Sequence, residues 1–368
     1  MRYIQQFDAI RAIAVILVVI SHWMNDLQIN RIFGIGAIGV NVFFVLSGFL
    51  ITNILLTNKK RIEDGSLGEH KTKAIGRFIM RRALRIFPIY YALLIFVHMS
   101  SSLFPNPIPF PGDLKYYIFY VQNFLFYLRQ GWSDEYLAPT WSLAVEEQFY
   151  LVWPWLVFFI QAKYLKLFFV ASFMAGLGFA LLLPMLLERQ ELTLILTPTC
   201  LDAFGAGAIL SYLIVFEENE VRRFSRITIL VSLGTFVIFL ITHIYSIDVF
   251  VPDRTMISVS TVGLLLAILT QKTGYLLSWV LNNKILVSIG KVSYGIYLFH
   301  KFIPLYLGTL LKWMSNHPIF NRITEKISYV NGNYRSIFLI ECLIVLLLVS
   351  FVSFYFYERP ILKLKRYF

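Results

Sequence analysis

The sequence predicts an all-α membrane protein: a polytopic bundle of about ten transmembrane helices plus one short interfacial or re-entrant helix. Three observations lead there. Of the 368 residues, 58% are hydrophobic and only 15% charged, whereas a soluble domain carries about 25% charged residues. That much apolar surface cannot be hidden in one core surrounded by water, and runs of about 20 apolar residues, the length that spans a bilayer, recur along the chain. The basic residues, which give a net charge of +12, fall in short segments between those runs, where orientation signals belong. Their distribution speaks against a nucleic-acid partner.

In chain order, spans are predicted over 8–25, 34–57, 84–102, 142–160, 165–187, 200–216, 226–246, 254–271, 293–313 and 336–357. The segment 115–128, "KYYIFYVQNFLFYL", is aromatic-rich and shorter than a span, so it is expected to lie at the interface or re-enter. Turn residues punctuate the runs, as in "FPNPIPFPGD" at 104–113. One membrane domain over 1–368 is expected, with no separate soluble domain. Asp8 and the absence of a small-x-small cleavage site after Ile20 argue that the first run is retained rather than cleaved as a signal peptide. Cys200 and Cys342 give neither a disulfide framework nor a metal-ligand spacing, and no metal is expected.

Alternating ten crossings from a cytoplasmic N-terminus puts 22 Lys and Arg in cytoplasmic segments and nine in external ones. The basic tail "KLKRYF" then returns to the cytoplasm. The bias supports a multi-pass protein of the inner (plasma) membrane with both termini cytoplasmic and 115–128 not crossing.

The first span holds "RAIAVILVVISH". Arg11 and His22 are eleven positions apart, close to three helical turns, so they share a face roughly 16 Å apart along the axis. Asp8 precedes Arg11 by three and can pair with it. Either residue alone reads equally well as an end anchor. Two polar groups on one face of an apolar helix are better explained by a polar path inside the bundle. In the second span, "GVNVFFVLSGFLITN", Gly39 and Gly48 allow close helix approach, while Asn41 and Ser47 are candidates to line a cavity. In "RRALRIFPIYY", Arg77, Arg81 and Arg82 are satisfied by orientation and anionic lipid. Arg85 lies deeper; paired with Arg82 it suits a phosphate-bearing ligand. Tyr91 closes this motif as a candidate binding residue.

The fourth span opens "TWSLAVEEQFY", with Trp141 as a further candidate contact and Glu146 and Glu147 adjacent. Neighbours point about 100° apart, so one carboxylate at most faces a central site. The other is free to cap the helix start, with Thr140 or Ser142 as N-cap. In "GKVSYGIYLFHKF" His300 and Lys301 sit near mid-span. The last span ends at "YFYERP", read as a helix stop. A histidine, carboxylates and arginines form an acid/base set for moving a group onto a hydroxyl. They also suit a proton-coupled transporter or a flippase of a glycan or lipid intermediate, and the bare residues do not choose.

The pieces "FDAIRAIAVILVVISH", "GVNVFFVLSGFLIT", "RRALRIFPIYY", "WSLAVEEQFYL", "SYGIYLFH" and "YERP", in this order, resemble the membrane-bound acyltransferase 3 family across nearly the whole chain. The resemblance implies an O-acyltransferase passing an acyl group, commonly acetyl, from cytoplasmic acyl-CoA to a hydroxyl of a sugar or surface polysaccharide. Acyl-CoA is then a co-substrate, with no permanently bound cofactor. Membrane lipids and the acceptor are the partners, and a homo-oligomer is allowed. By position, His22 matches the family's essential histidine and Arg11 its partner. Arg82 and Arg85 match the paired arginines of the cytoplasmic mouth, a place suited to coenzyme phosphates. Glu146 or Glu147 matches the motif carboxylate. The expected mechanism has His22 as general base, or as transient acyl acceptor, supported by Glu147 for choice. Asp8, Asn41, Ser47, Tyr91, Trp141 and His300 complete the candidate site. Many relatives carry an extra hydrolase-like domain after the last span. Ending at Phe368, this chain is expected to complete transfer within the membrane unit or through a partner.

Overall fold

A computed structural model describes residues 3–100, 113–132, 135–187, 192–315 and 335–368. Among the described residues all regular structure is helical. The helices are α1 (Gln5–Trp23), α2 (Gln28–Phe33), α3 (Ile35–Glu63), α4 (Lys71–Ser100), α5 (Leu114–Ile118), α6 (Gln122–Arg129), α7 (Trp141–Phe159) and α8 (Ala162–Leu186). They continue with α9 (Leu201–Phe216), α10 (Glu218–Ile244), α11 (Asp253–Leu269), α12 (Tyr275–Leu281), α13 (Lys284–Lys291), α14 (Ser293–Phe299), α15 (Phe302–Ser315) and α16 (Arg335–Val352).

Seven described helices are long and apolar enough to cross a membrane, against the ten spans expected. The three others have local reasons. α7 carries Glu146, Glu147 and Gln148 in its first half, which lower its hydropathy. α11 has 17 residues, about 25 Å at 1.5 Å per residue. The expected span 293–313 is broken into α14 and α15 at His300 and Lys301. Pro304 explains the break: it has no N–H to give the carbonyl four residues back, which is that of His300. That carbonyl instead accepts from Trp23 Nε1 at 2.8 Å. The segment 115–128 forms α5 and α6, both too short to cross. The expected stop at "YERP" is not one: the chain passes through a π turn at Ser353–Glu358 and stays helical to Tyr367.

α3 is the central post, packed on α1 and most heavily on α9. Glycine makes this possible. A Cβ on Gly48 would fall on the Phe204 backbone of α9, and one on Gly207 on the Val45 carbonyl of α3. A Cβ on Gly39 would strike the Ala14 carbonyl of α1. Small residues thus bring the backbones together where lipid supplies no hydrophobic drive for association. Gly290 does the same for α13, which lies against the Asp8 backbone. α10 faces outward: only 17% of its most apolar stretch is buried, and Ile227, Leu230, Val231 and Leu233 are exposed. Such an apolar outer face needs lipid around it, so the chain is a multi-pass membrane protein. Lys59 of α3 is buried yet satisfied. Its Nζ donates to the Phe158 and Ile160 carbonyls at 3.0 and 2.9 Å, closing the C-terminus of α7, and pairs with Glu63 at 2.9 Å.

Candidate functional site: an arginine cavity and a histidine pair

α1 places Asp8, Arg11 and His22 along one helix. Asp8 is buried; it accepts from Arg11 Nη1 at 2.6 Å and from Tyr3 Oη at 2.5 Å. Arg11 opens into a cavity of about 100 Å³ that also receives Arg82 and Arg85 of α4, Ser47 of α3, and Glu146 and Tyr150 of α7. Ser47 Oγ donates to Glu146 Oε1 at 2.7 Å and lies 3.0 Å from Tyr150 Oη. With the Ser47 proton committed to Glu146, Tyr150 is the donor of the second bond. The guanidinium of Arg82 lies over the Phe78 and Tyr150 rings, 5.5 and 5.7 Å from their centroids. Among the described residues neither Arg82 nor Arg85 forms an ion pair with a carboxylate. The cavity lining thus carries three guanidinium groups and one carboxylate, Glu146, with Asp8 paired to Arg11 and with Glu358 and Glu147 near Arg85 and Arg82 outside the lining, and the lining itself favours an anion.

His22 stands at the other end of α1, outside the lining of this cavity. Its Nδ1 lies 2.8 Å from His300 Nε2, with the two rings stacked at 4.9 Å. The proton positions follow from the neighbours. His300 Nδ1 faces the Tyr297 carbonyl at 2.6 Å, so it must carry a hydrogen. A neutral His300 then has a bare Nε2, which accepts from His22 Nδ1–H. His22 is left with an unprotonated Nε2, the form a general base needs. Tyr297 joins the two parts: it lines the arginine cavity, and its ring lies 5.7 Å from that of His300. Its hydroxyl donates to the Pro139 carbonyl at 2.7 Å, which makes Ser142 Oγ the donor at 2.6 Å.

Several expected placements differ. The carboxylate in the arginine cavity is Glu146, whereas Glu147, the one favoured from sequence, turns into a side pocket with Tyr120 and Gln148. The 100° between adjacent helical residues separates them. Glu147 Oε1 is buried without a hydrogen-bond partner among the described residues. The partner of His22 is a histidine, not a carboxylate. Tyr91 ties α4 to α5, donating to the Ile118 carbonyl at 2.8 Å. Asn41 and Trp141 line a second cavity, at the Ile35 end of α3. No side chain caps α7: Thr140 Oγ1 turns back to the Leu137 carbonyl, and Ser142 Oγ gives its proton to Tyr297. Lys301 reaches Glu135 at 3.3 Å. Sequence reasoning passed over Tyr150, Tyr294 and Tyr297, all in the cavity wall. A signal was there: Tyr150 follows Glu146 by four, and Tyr294, Tyr297 and His300 are spaced by three, which stacks them on one helical face.

The chain matches the family described as an acyltransferase domain over residues 4–358. It is 29% identical over 391 residues to the peptidoglycan O-acetyltransferase OatA of Listeria monocytogenes serovar 1/2a, covering 98% of this chain and 56% of that protein. It is 26% identical over 386 residues to the O-acetyltransferase OatA of Staphylococcus aureus strain NCTC 8325 / PS 47, covering 98% and 58%. The chain thus spans a little over half the length of these relatives. No solved structure matches it. On the match over nearly all of its length, the chain belongs to the acyltransferase 3 family.

Proposed function

We propose that the chain is an O-acetyltransferase moving an acetyl group from acetyl-CoA to a hydroxyl of a cell-envelope glycan. The observation that carries this reading is the tautomer imposed on His22, a bare Nε2 presented at one end of a helix whose other end opens into an anion-seeking arginine cavity. The names of the relatives agree with it. Arg82 and Arg85 hold the coenzyme's phosphates at the cytoplasmic mouth, because guanidinium matches phosphate oxygens. Arg11, fixed by Asp8, holds the pantetheine arm, which runs on past Tyr297 to bring the thioester to His22. The acceptor oxygen attacks the thioester carbonyl carbon while its proton passes to His22 Nε2. The C–S bond breaks, and that proton goes to the departing thiolate, leaving an O-acetyl ester and the free thiol of coenzyme A. His300 supports the imidazolium formed on the way, since its Nε2 accepts from His22 Nδ1 throughout.

The membrane orientation in this reading has both chain ends in the cytoplasm, with ten crossings. The test is a thermal shift of the purified protein with acetyl-CoA, paired with analysis of glycan esters in cells with and without the gene. Ligand at about 100 times its Kd stabilises the fold by about 2.7 kcal/mol. A glycan or lipid flippase gives neither a shift nor a lost ester.

A further inference from the structure

The second cavity is untouched by the transfer chemistry above. Its volume, about 650 Å³, falls within the roughly 300–1,000 Å³ of ligand pockets. The arginine cavity, at about 100 Å³, falls below that range. The walls are aromatic, with Phe33, Phe44, Trp141 and Phe239 among them, and Trp141 meets Phe44 edge to face at 5.9 Å. The polar side is built rather than incidental. Arg254 donates to the Leu194 and Thr199 carbonyls at 2.6 and 3.0 Å, fixing the segment that carries the lining residue Leu194.

Asn41 supplies the decisive atom. It is only 4% exposed, and its Nδ2 donates to the Arg254 carbonyl at 2.8 Å and lies 3.0 Å from Ser258 Oγ. Its Oδ1 is buried with no hydrogen-bond partner among the described residues. Flipping the amide does not help, because that would set Oδ1 against the Arg254 carbonyl oxygen. A buried acceptor left unpaired is costly, so this one asks for a ligand O–H or N–H. Asp253, 3.1 Å from His243 Nε2, adds a second acceptor to the lining. The cavity also adjoins the arginine cavity. Val40 and Phe44 line both cavities, and Phe43 of the same turn packs 6.3 Å from Tyr297, which in turn touches His300.

We propose that this second cavity is the acceptor site, taking one sugar unit whose apolar face lies on Trp141 and Phe44 and one of whose hydroxyls donates to Asn41 Oδ1. The proposal rests on the glycan O-acetyltransferase reading, and with a cytoplasmic N-terminus it places the sugar on the outer side.

The test compares Asn41→Ala and Ala37→Trp with the unaltered protein at equal expression. Ala37 lines the cavity, so Ala37→Trp fills it without removing a side-chain hydrogen bond; it serves as control should Asn41→Ala loosen the contact of α3 with α11. Two quantities are read: base-labile acetyl esters on the cell's glycans, and the thermal shift of each purified protein with acetyl-CoA. Both variants are expected to lower esters tenfold or more and to keep the full shift. Esters within twofold of normal in Ala37→Trp overturn the acceptor site whatever Asn41→Ala does, and leave the enzyme reading standing. Loss of the acetyl-CoA shift in both variants also overturns it, since the damage is then not confined to the acceptor. No ester added by the unaltered protein removes the enzyme reading, and this proposal with it.

Discussion

Replacing His300 by Phe tests the histidine pair directly. The ring volume is nearly kept, but both nitrogens go, so His22 Nδ1 loses its acceptor at 2.8 Å and the Tyr297 carbonyl its donor at 2.6 Å. In the proposed reaction the bond to His22 matters most when His22 is charged, after it has taken the hydroxyl proton. A hydrogen bond to a charged group contributes about 1.5–3 kcal/mol, and each 1.36 kcal/mol of barrier is tenfold in rate. His300→Phe should therefore lower kcat roughly 10- to 150-fold. The KM for acetyl-CoA should not move, because the proposed coenzyme mouth is the arginine cavity. His300→Asn, whose amide N–H can still serve the Tyr297 carbonyl, separates the structural bond from the catalytic one. It should keep more of the thermal stability and still lose rate. The assay is transfer of labelled acetyl from acetyl-CoA by reconstituted protein, with Tm measured alongside. A His300→Phe protein that folds and turns over at the normal rate would refute the tautomer argument and the role given to the pair.

The two adjacent glutamates should separate in the same assay. Glu146→Gln disrupts the Ser47 and Tyr150 relay in the arginine cavity and should cost tenfold or more in kcat/KM, whereas Glu147→Gln should cost less, since Glu147 lies in the side pocket; the reverse order would move the functional carboxylate. Gly48→Val places side-chain atoms on the Phe204 backbone and should destabilise the α3–α9 contact by about 1–3 kcal/mol, seen as a lower Tm in detergent. Lys59→Met removes the donor to two carbonyls at the end of α7 and should lower stability by about 1–3 kcal/mol, with no change in the KM for acetyl-CoA.

Much of this was legible in the residues because it is local. The helical spacing of Asp8, Arg11 and His22 sets their common face before any tertiary contact forms, and the Asp8–Arg11 pair sits where three-residue spacing puts it. The glycines of α3 were readable as close-approach points, although nothing in the sequence says that α9 is what approaches Gly48. What stayed hidden depends on distant pairing. His22 and His300 are 278 residues apart in the chain, and neither segment announces the other. Which glutamate enters the cavity depends on the rotation of α7, fixed by its packing on α3 rather than by its own pattern. Asn41 looked like a residue of the central path because it shares a span with Ser47. Six positions at 100° each put the two far enough apart around α3 to open into different cavities. The break at His300 was readable in principle, since Pro304 marks it. The apolar run across it masked that signal.

The most direct measurement of the account is the acetyl-ester content of cell-envelope glycans in cells carrying His22→Ala at the normal protein level. Esters should fall to the level of cells lacking the gene, while the purified variant is still stabilised by acetyl-CoA. Undiminished esters would contradict the assignment of His22 as the base, and with it the reading of the histidine pair as the reaction centre.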